Sequence, residues 1–171
     1  NTRRSVAYFL DERSAALKFL LEEQSYLELS DSDNLATLLR SLKAGFGGMV
    51  DLGVIDESGH QIAYAGPFNL EGKQYADQEW FTHMPEDGVF VSDVFMGHRN
   101  EPHMFIAVRS ENTDNPYILR ATLDTDNLSR ILDVMETSSG GEAFLINTHG
   151  IMQTFSANHG AVLAKTTLPV P

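Results

Sequence analysis

The chain has 171 residues, 42% of them hydrophobic and 21% charged, enough to bury one full core and part of a second and too apolar for a disordered segment. Its formal net charge of −12, from 24 acidic against 12 basic residues, argues against nucleic-acid or anionic-membrane binding, which needs a basic face. The absence of Cys removes thiol nucleophiles, disulfides and cysteine-held metals, and no apolar run approaches the roughly 18 to 20 residues of a membrane span.

The opening Asn-Thr-Arg-Arg carries neither an initiator Met nor a signal-peptide core, so the expectation is a piece of a longer protein. Val6, Phe9, Leu10, Leu17, Leu20, Leu21 and Leu27 recur at helical spacing with no Pro or Gly between them, which predicts one long amphipathic helix. Such a stripe ordinarily covers a core, and its length leaves room for a second use as a dimer seam or signalling rod. Capping residues at 30–34 precede a second stripe, Leu35, Leu38, Leu39, Leu42 and Phe46, which Gly45, Gly47 and Gly48 close. From Met49 the period changes: residues 50–56 and 61–65 read as two strands around the tight turn Glu57-Ser-Gly-His60.

Residues 66–88 combine breakers, Pro67, Gly72 and Pro85, with Phe68, Tyr75, Trp80 and Phe81, too many aromatics for a plain solvated loop. Residues 89–95, 104–109 and 117–123 then read as three further strands, followed by a helix through Met135 capped by Thr125, Asp126 or Asn127. The expected fold class is mixed α+β, with a long N-terminal helix and a five-stranded antiparallel sheet. A partial repeat appears at an offset of 91 residues, where Val54-Ile-Asp-Glu-Ser-Gly59 recurs in form as Leu145-Ile-Asn-Thr-His-Gly150. The expected boundaries are therefore 1–139 for one module and 140–171 for the incomplete start of a second.

Aromatic walls and polar tips meet in Tyr75-Ala-Asp-Gln-Glu-Trp-Phe81, the mixture of a small-molecule pocket, although Trp80 and Phe81 could equally plug the sheet. His98, Arg99 and His103, with Asp93 upstream, could hold a divalent ion, but their spacing matches no compact metal motif, and neither metal nor cofactor is expected. Arg99 is the better candidate, since a guanidinium fork holds a carboxylate in two directions. A hydrolytic triad from Ser92, a His and Asp93 or Asp124 lacks a nucleophile elbow, so no enzyme is expected. Asp124, at a strand end, is a helix-capping residue or a ligand-facing carboxylate.

The strings Val50-Asp-Leu-Gly-Val-Ile-Asp56, Tyr64-Ala-Gly-Pro-Phe68, Gly72-Lys-Gln-Tyr75, Glu79-Trp-Phe81, Gly88-Val-Phe-Val-Ser-Asp-Val-Phe95 and Pro102-His-Met-Phe-Ile-Ala-Val108, in this order, resemble the double Cache sensor domains of bacterial histidine kinases. The resemblance covers nearly the whole chain. It implies a PAS-like module distal to the membrane, a truncated proximal module, a periplasmic or extracellular location and a membrane-anchored, homodimeric parent kinase. It further implies a small ligand, an organic acid or other metabolite, in the distal module. The amino-acid-binding subset of that family carries an Arg two positions before the aromatic pair, where this chain has Gln78, and a Tyr-x-Asp where it has Phe95-Met-Gly97; Asp124 alone matches. The residues expected at the ligand are Tyr75, Trp80, Phe95, Arg99, His103 and Asp124. A sensor that docks a partner protein, and the ectodomain of a chemoreceptor or cyclase-type receptor, remain the alternatives.

Overall fold

The computed structural model describes residues 2–97, 100–112 and 114–170, without the side chains of residues 2 and 135–139. The chain divides into two compact units, one of Asn1–Leu10, Asp93–Met104 and Asp124–Pro171, the other of Asp11–Ser92 and Phe105–Leu123.

Helix α1 (Thr2–Glu23) follows the expected stripe, with Phe9, Leu17 and Leu20 buried. It stops before Leu27 because Ser25 starts a separate turn, α2 (Tyr26–Leu29). The Ser25 hydroxyl accepts from the Glu28 N–H at 3.1 Å and the Glu28 carboxylate accepts from the Ser25 N–H at 3.4 Å, a reciprocal capping box. This cap resets the helical phase, so Leu27, expected on the inner stripe, is 81% exposed and Leu29 is buried instead. Helix α3 (Ser32–Gly45) begins on Asp31, whose Oδ1 accepts from the N–H groups of Asp33 and Asn34, and buries Leu35, Leu39 and Leu42. Gly47 and Gly48 follow it at φ +70° and +75°, a left-handed exit that favours glycine.

Five strands form the sheet in the order β2-β1-β5-β4-β3: β1 (Met49–Ile55), β2 (Gln61–Ala65), β3 (Val89–Val91), β4 (His103–Arg109) and β5 (Ile118–Asp124). Strand β3 is shorter than the expected 89–95. At Ser92 the hydroxyl accepts from the Phe105 N–H, replacing the next ladder bond, and pairing resumes only as an isolated bridge between Phe95 and His103. The register separates two faces. Leu52 and Val54 stand opposite Ala65 and Ala63 on one side and Ala121 and Leu119 on the other, an aliphatic face that matches the leucines of α3, which packs on β1 and β2. Asp51, Gly53, Tyr64, Arg120 and Thr122 share the opposite face, and this is where the loop aromatics lie.

In the other unit, helix α5 (Asp126–Ser139) is capped by Asp124, in the helix-capping role expected as one of its two readings; its Oδ1 accepts from the N–H groups of Asp126 and Asn127 at 3.1 and 3.3 Å. The repeat read from sequence is structural at the turn. Asp56 Oδ1 accepts from the N–H groups of Ser58 and His60 at 3.0 Å each, and Asn147 Oδ1 accepts from those of His149 and Ile151 at 2.9 Å each. Gly59 and Gly150 close the two turns at φ +88° and +74° and donate to the carbonyls of Asp56 and Asn147. Met152, Thr154 and Ser156 are buried beyond the second turn, and the Glu142 carboxylate accepts from Ser156, Ala157 and Asn158 at 2.7 Å each. Hydrogen bonds led by the Ser156 hydroxyl lower the pKa of that carboxyl.

Candidate functional site

Strand β5 carries one cation inside an apolar run, and alternation turns it onto the sheet face away from α3. There the Arg120 guanidinium carbon lies 4.0 Å from the Phe105 ring centroid, 4.6 Å from that of Tyr75 and 5.6 Å from that of Trp80. Arg120, Tyr75 and Phe105 are buried, while Trp80 remains half-buried. Trp80 comes from the single turn α4 (Glu79–Thr82) and stacks on Phe90 at 6.0 Å and 20°. It meets Phe105 obliquely at 5.0 Å, Tyr75 at 6.0 Å and Phe81 edge-on at 5.9 Å. Rings hold a guanidinium through cation–π contact, while its N–H donors form a planar fork that matches a carboxylate.

The sheet makes room for this box at Gly53, the register partner of Arg120 on β1. A Cβ at Gly53 would overlap the Gln61 side-chain oxygen. Gln61 is buried and its amide donates to the Leu70 carbonyl at 2.7 Å, while its N–H donates to Lys73 and its carbonyl accepts from Gly72, both at 2.8 Å. Tyr75 is secured in turn by its N–H, which donates to the Gly59 carbonyl at 2.7 Å. Residues 70–76 are thereby tied to the β1–β2 hairpin, and the cover continues through 77–88, which carries Trp80 and is held at its end by the Arg109 N–H, which donates to the Gly88 carbonyl at 2.8 Å. Beside the box, the Tyr64 hydroxyl donates to the buried Asp51 carboxylate at 2.7 Å.

Of the residues expected at a ligand, Tyr75 and Trp80 lie together in this box. Phe95 and His103 lie together in the other unit, where their rings are 4.3 Å apart and their backbones exchange two hydrogen bonds of 2.9 and 3.0 Å. His103 Nδ1 sits 2.9 Å from the Glu101 carbonyl oxygen, an acceptor only, so this nitrogen carries the proton. Gly97, at φ +55°, lets the chain pass closely over both rings, since a Cβ there would come within 2.7 Å of the imidazole and 2.9 Å of the phenyl ring. Asp124 caps α5, and Arg99 lies outside the described residues. Sequence reasoning passed over Arg120. Its one signal was a charged residue in the middle of the apolar run Tyr117-Ile-Leu-Arg-Ala-Thr-Leu123, where a buried charge requires compensation.

No model of a known protein family matches the chain, and neither does any curated protein. Solved structures do. The extracellular ligand binding receptor from Desulfohalobium retbaense superposes with a TM-score of 0.72 at 12% identity, over 96% of this chain and 31% of that one. The ligand binding domain of the Pseudomonas aeruginosa amino acid chemoreceptor PctC, in complex with GABA, gives 0.68 at 16% identity, over 96% of this chain and 74% of that one. The extracellular domain of a candidate histidine kinase, vpHK1S-Z8, gives 0.58 at 18% identity over 77% and 56%. The chain thus spans about a third of the receptor named first, and what it shares at these identities is the fold. That fold is the Cache-like one of extracellular ligand-binding and sensor domains, as the resemblance in sequence implied.

Proposed function

We propose that this chain is the extracytoplasmic sensing part of a membrane-anchored signal-transduction protein with a histidine kinase output, and that it binds a small organic acid at the aromatic box. The observation that carries this reading is the buried Arg120 guanidinium held among Phe105, Tyr75 and Trp80 on one face of the sheet. A carboxylate pairs with the rim of the guanidinium, and the carbon skeleton of the acid lies against the rings. Binding biases signalling only through a difference in affinity between two states, and closure of residues 77–88 with Trp80 over the acid supplies that difference. The shift then passes to the output through α1. No described helix is long and apolar enough to cross a membrane. Residues 140–171 are read as the start of a membrane-proximal module, supported by the turn at Asn147 that repeats the one at Asp56. The parent is read as a homodimer, and the exposed Tyr8 and Phe19 of α1 support that reading.

The test is a thermal-shift and calorimetric screen of organic acids, amines and neutral metabolites against the wild-type chain, Trp80→Ala and Arg120→Met. A saturable shift with an acid, absent in both variants while they remain folded, is the expected result. A screen with no shift on a folded protein, or binding that survives Arg120→Met, overturns the reading.

A further inference from the structure

A second recess, independent of the aromatic box, opens in the same unit. It encloses about 410 Å³, the size of a small-molecule site. Its walls are the end of α1 (Lys18 and Glu22, one turn apart), Tyr26 at the start of α2, Asp87 ahead of β3, Arg109 at the end of β4, and the connection to β5, which contributes Glu111 and Tyr117. Tyr26 and Tyr117 meet with centroids 4.9 Å apart and form an aromatic flank, with Tyr117 buried. Burial pushes the Tyr117 phenol up, with Tyr26 adding to the effect, so it stays a neutral hydroxyl throughout the physiological range.

The charges are what distinguish this recess from an ordinary solvated surface. Lys18 and Glu22 stand at i and i+4 on one helix face, the spacing at which opposite charges usually pair, yet neither they nor Glu111 makes an ion pair among the described residues. Arg109 donates to the backbone carbonyl of Glu86 at 3.3 Å, a neutral acceptor that leaves its charge uncompensated. Two cations and three carboxylates therefore face one cavity without forming an ion pair among the described residues, and of the carboxylates Asp87 already accepts from the Val89 N–H at 3.1 Å. A simple anion would meet the carboxylates, and a simple amine would meet Lys18 and Arg109. A molecule with an acid at one end and an ammonium at the other meets the cations with one end and the carboxylates with the other, and its chain lies along the tyrosines.

We propose that this recess is a second ligand site, selective for small zwitterions of the ω-amino-acid type, with Lys18 and Arg109 holding the acid and Glu22 and Glu111 the ammonium.

The probe is 6-aminohexanoate, titrated into the ¹⁵N-labelled chain beside its two halves, hexanoate and hexylamine. The expected result is saturable movement of the amide signals of Lys18, Glu22, Tyr26, Arg109 and Glu111, with the indole signal of Trp80, the chain's one tryptophan, unmoved. Each half binds at least about tenfold more weakly, and Lys18→Met and Glu22→Gln, both on the exposed side of α1, each raise Kd by about tenfold. The proposal is overturned by no saturable movement at about 20 mM probe, by equal binding of either half, or by movement confined to the Trp80 indole. The last of these outcomes would leave the aromatic box as the site of zwitterion binding; the first would leave its acid binding untouched.

Discussion

Arg120 combines a permanent charge with burial, and the rings around it offset part of the desolvation, each contact worth roughly 0.5 to 2 kcal/mol. Met has similar length and fits among the same rings but makes none of the guanidinium's hydrogen bonds, so Arg120→Met is expected to cost about 1 to 3 kcal/mol. It should nonetheless abolish binding of the acid, and urea melts run beside calorimetry separate the two effects. Trp80→Ala removes ring contacts on several sides from a half-buried position and should cost about 2 kcal/mol as well as binding. Asp56 makes a pH-dependent contribution. Burial pushes its carboxyl up, but hydrogen bonds from the Ser58 hydroxyl and from the N–H groups of His60 and Ser58, together with nearby His60, outweigh this and lower its pKa below the ordinary 3.8. A carboxylate lowered on folding adds stability that is complete above the unfolded value and disappears as pH falls through the folded one. Asp56→Ala should therefore cost about 1 to 2 kcal/mol at pH 7, with the gap from wild type narrowing below pH 3.8; a gap that persists in melts at lower pH would show that charge is not what holds the turn.

Among the elements, the hairpin of β1 and β2 does most to position the box, because Gln61 occupies the space that Gly53 leaves and ties down residues 70–76. Gly53→Ala forces Gln61 out of its buried hydrogen bond with Leu70 and is expected to destabilise by about 1 to 3 kcal/mol. Shortening the obstruction should recover part of that loss, so Gly53→Ala combined with Gln61→Ala is expected to be less destabilised than the sum of the single variants; strict additivity in a double-mutant cycle would refute the contact. Helix α3 has the simpler role of covering the aliphatic face. Leu35 is fully buried in it, and Leu35→Ala should cost about 2 to 5 kcal/mol without touching the residues of the box.

At the scale of the whole molecule the formal charge of −12 opposes the approach of an anionic ligand. Salt screens that field over a Debye length of about 10 Å at 0.1 M, so acid association should become faster as ionic strength rises from about 0.01 to 0.15 M, before direct competition for Arg120 sets in. Stopped-flow association rates measured across that range check this, and a rate that falls from the lowest salt upward would mean that a local positive field dominates at the site.

Much of this protein was legible in local pattern. The stripe of α1, the cap and glycine exit of α3, the hairpin around Asp56 and the echo of that hairpin at Asn147 all depend on neighbours a few residues away, so spacing alone reveals them. The break at Ser25 was also written locally, as Ser25-Tyr-Leu-Glu28, but was outweighed by the apolar spacing that runs on to Leu27. Tyr75 and Trp80 were found because aromatic density in a loop requires a packing partner. Which partner could not be read. Arg120 lies 40 residues beyond Trp80, and Phe105 and Gly53 reach it only through strand order and register, which no single segment encodes. Burial of that charge among three rings belongs to the sheet as an assembled object, and so the tertiary structure alone made Arg120 the centre of the site.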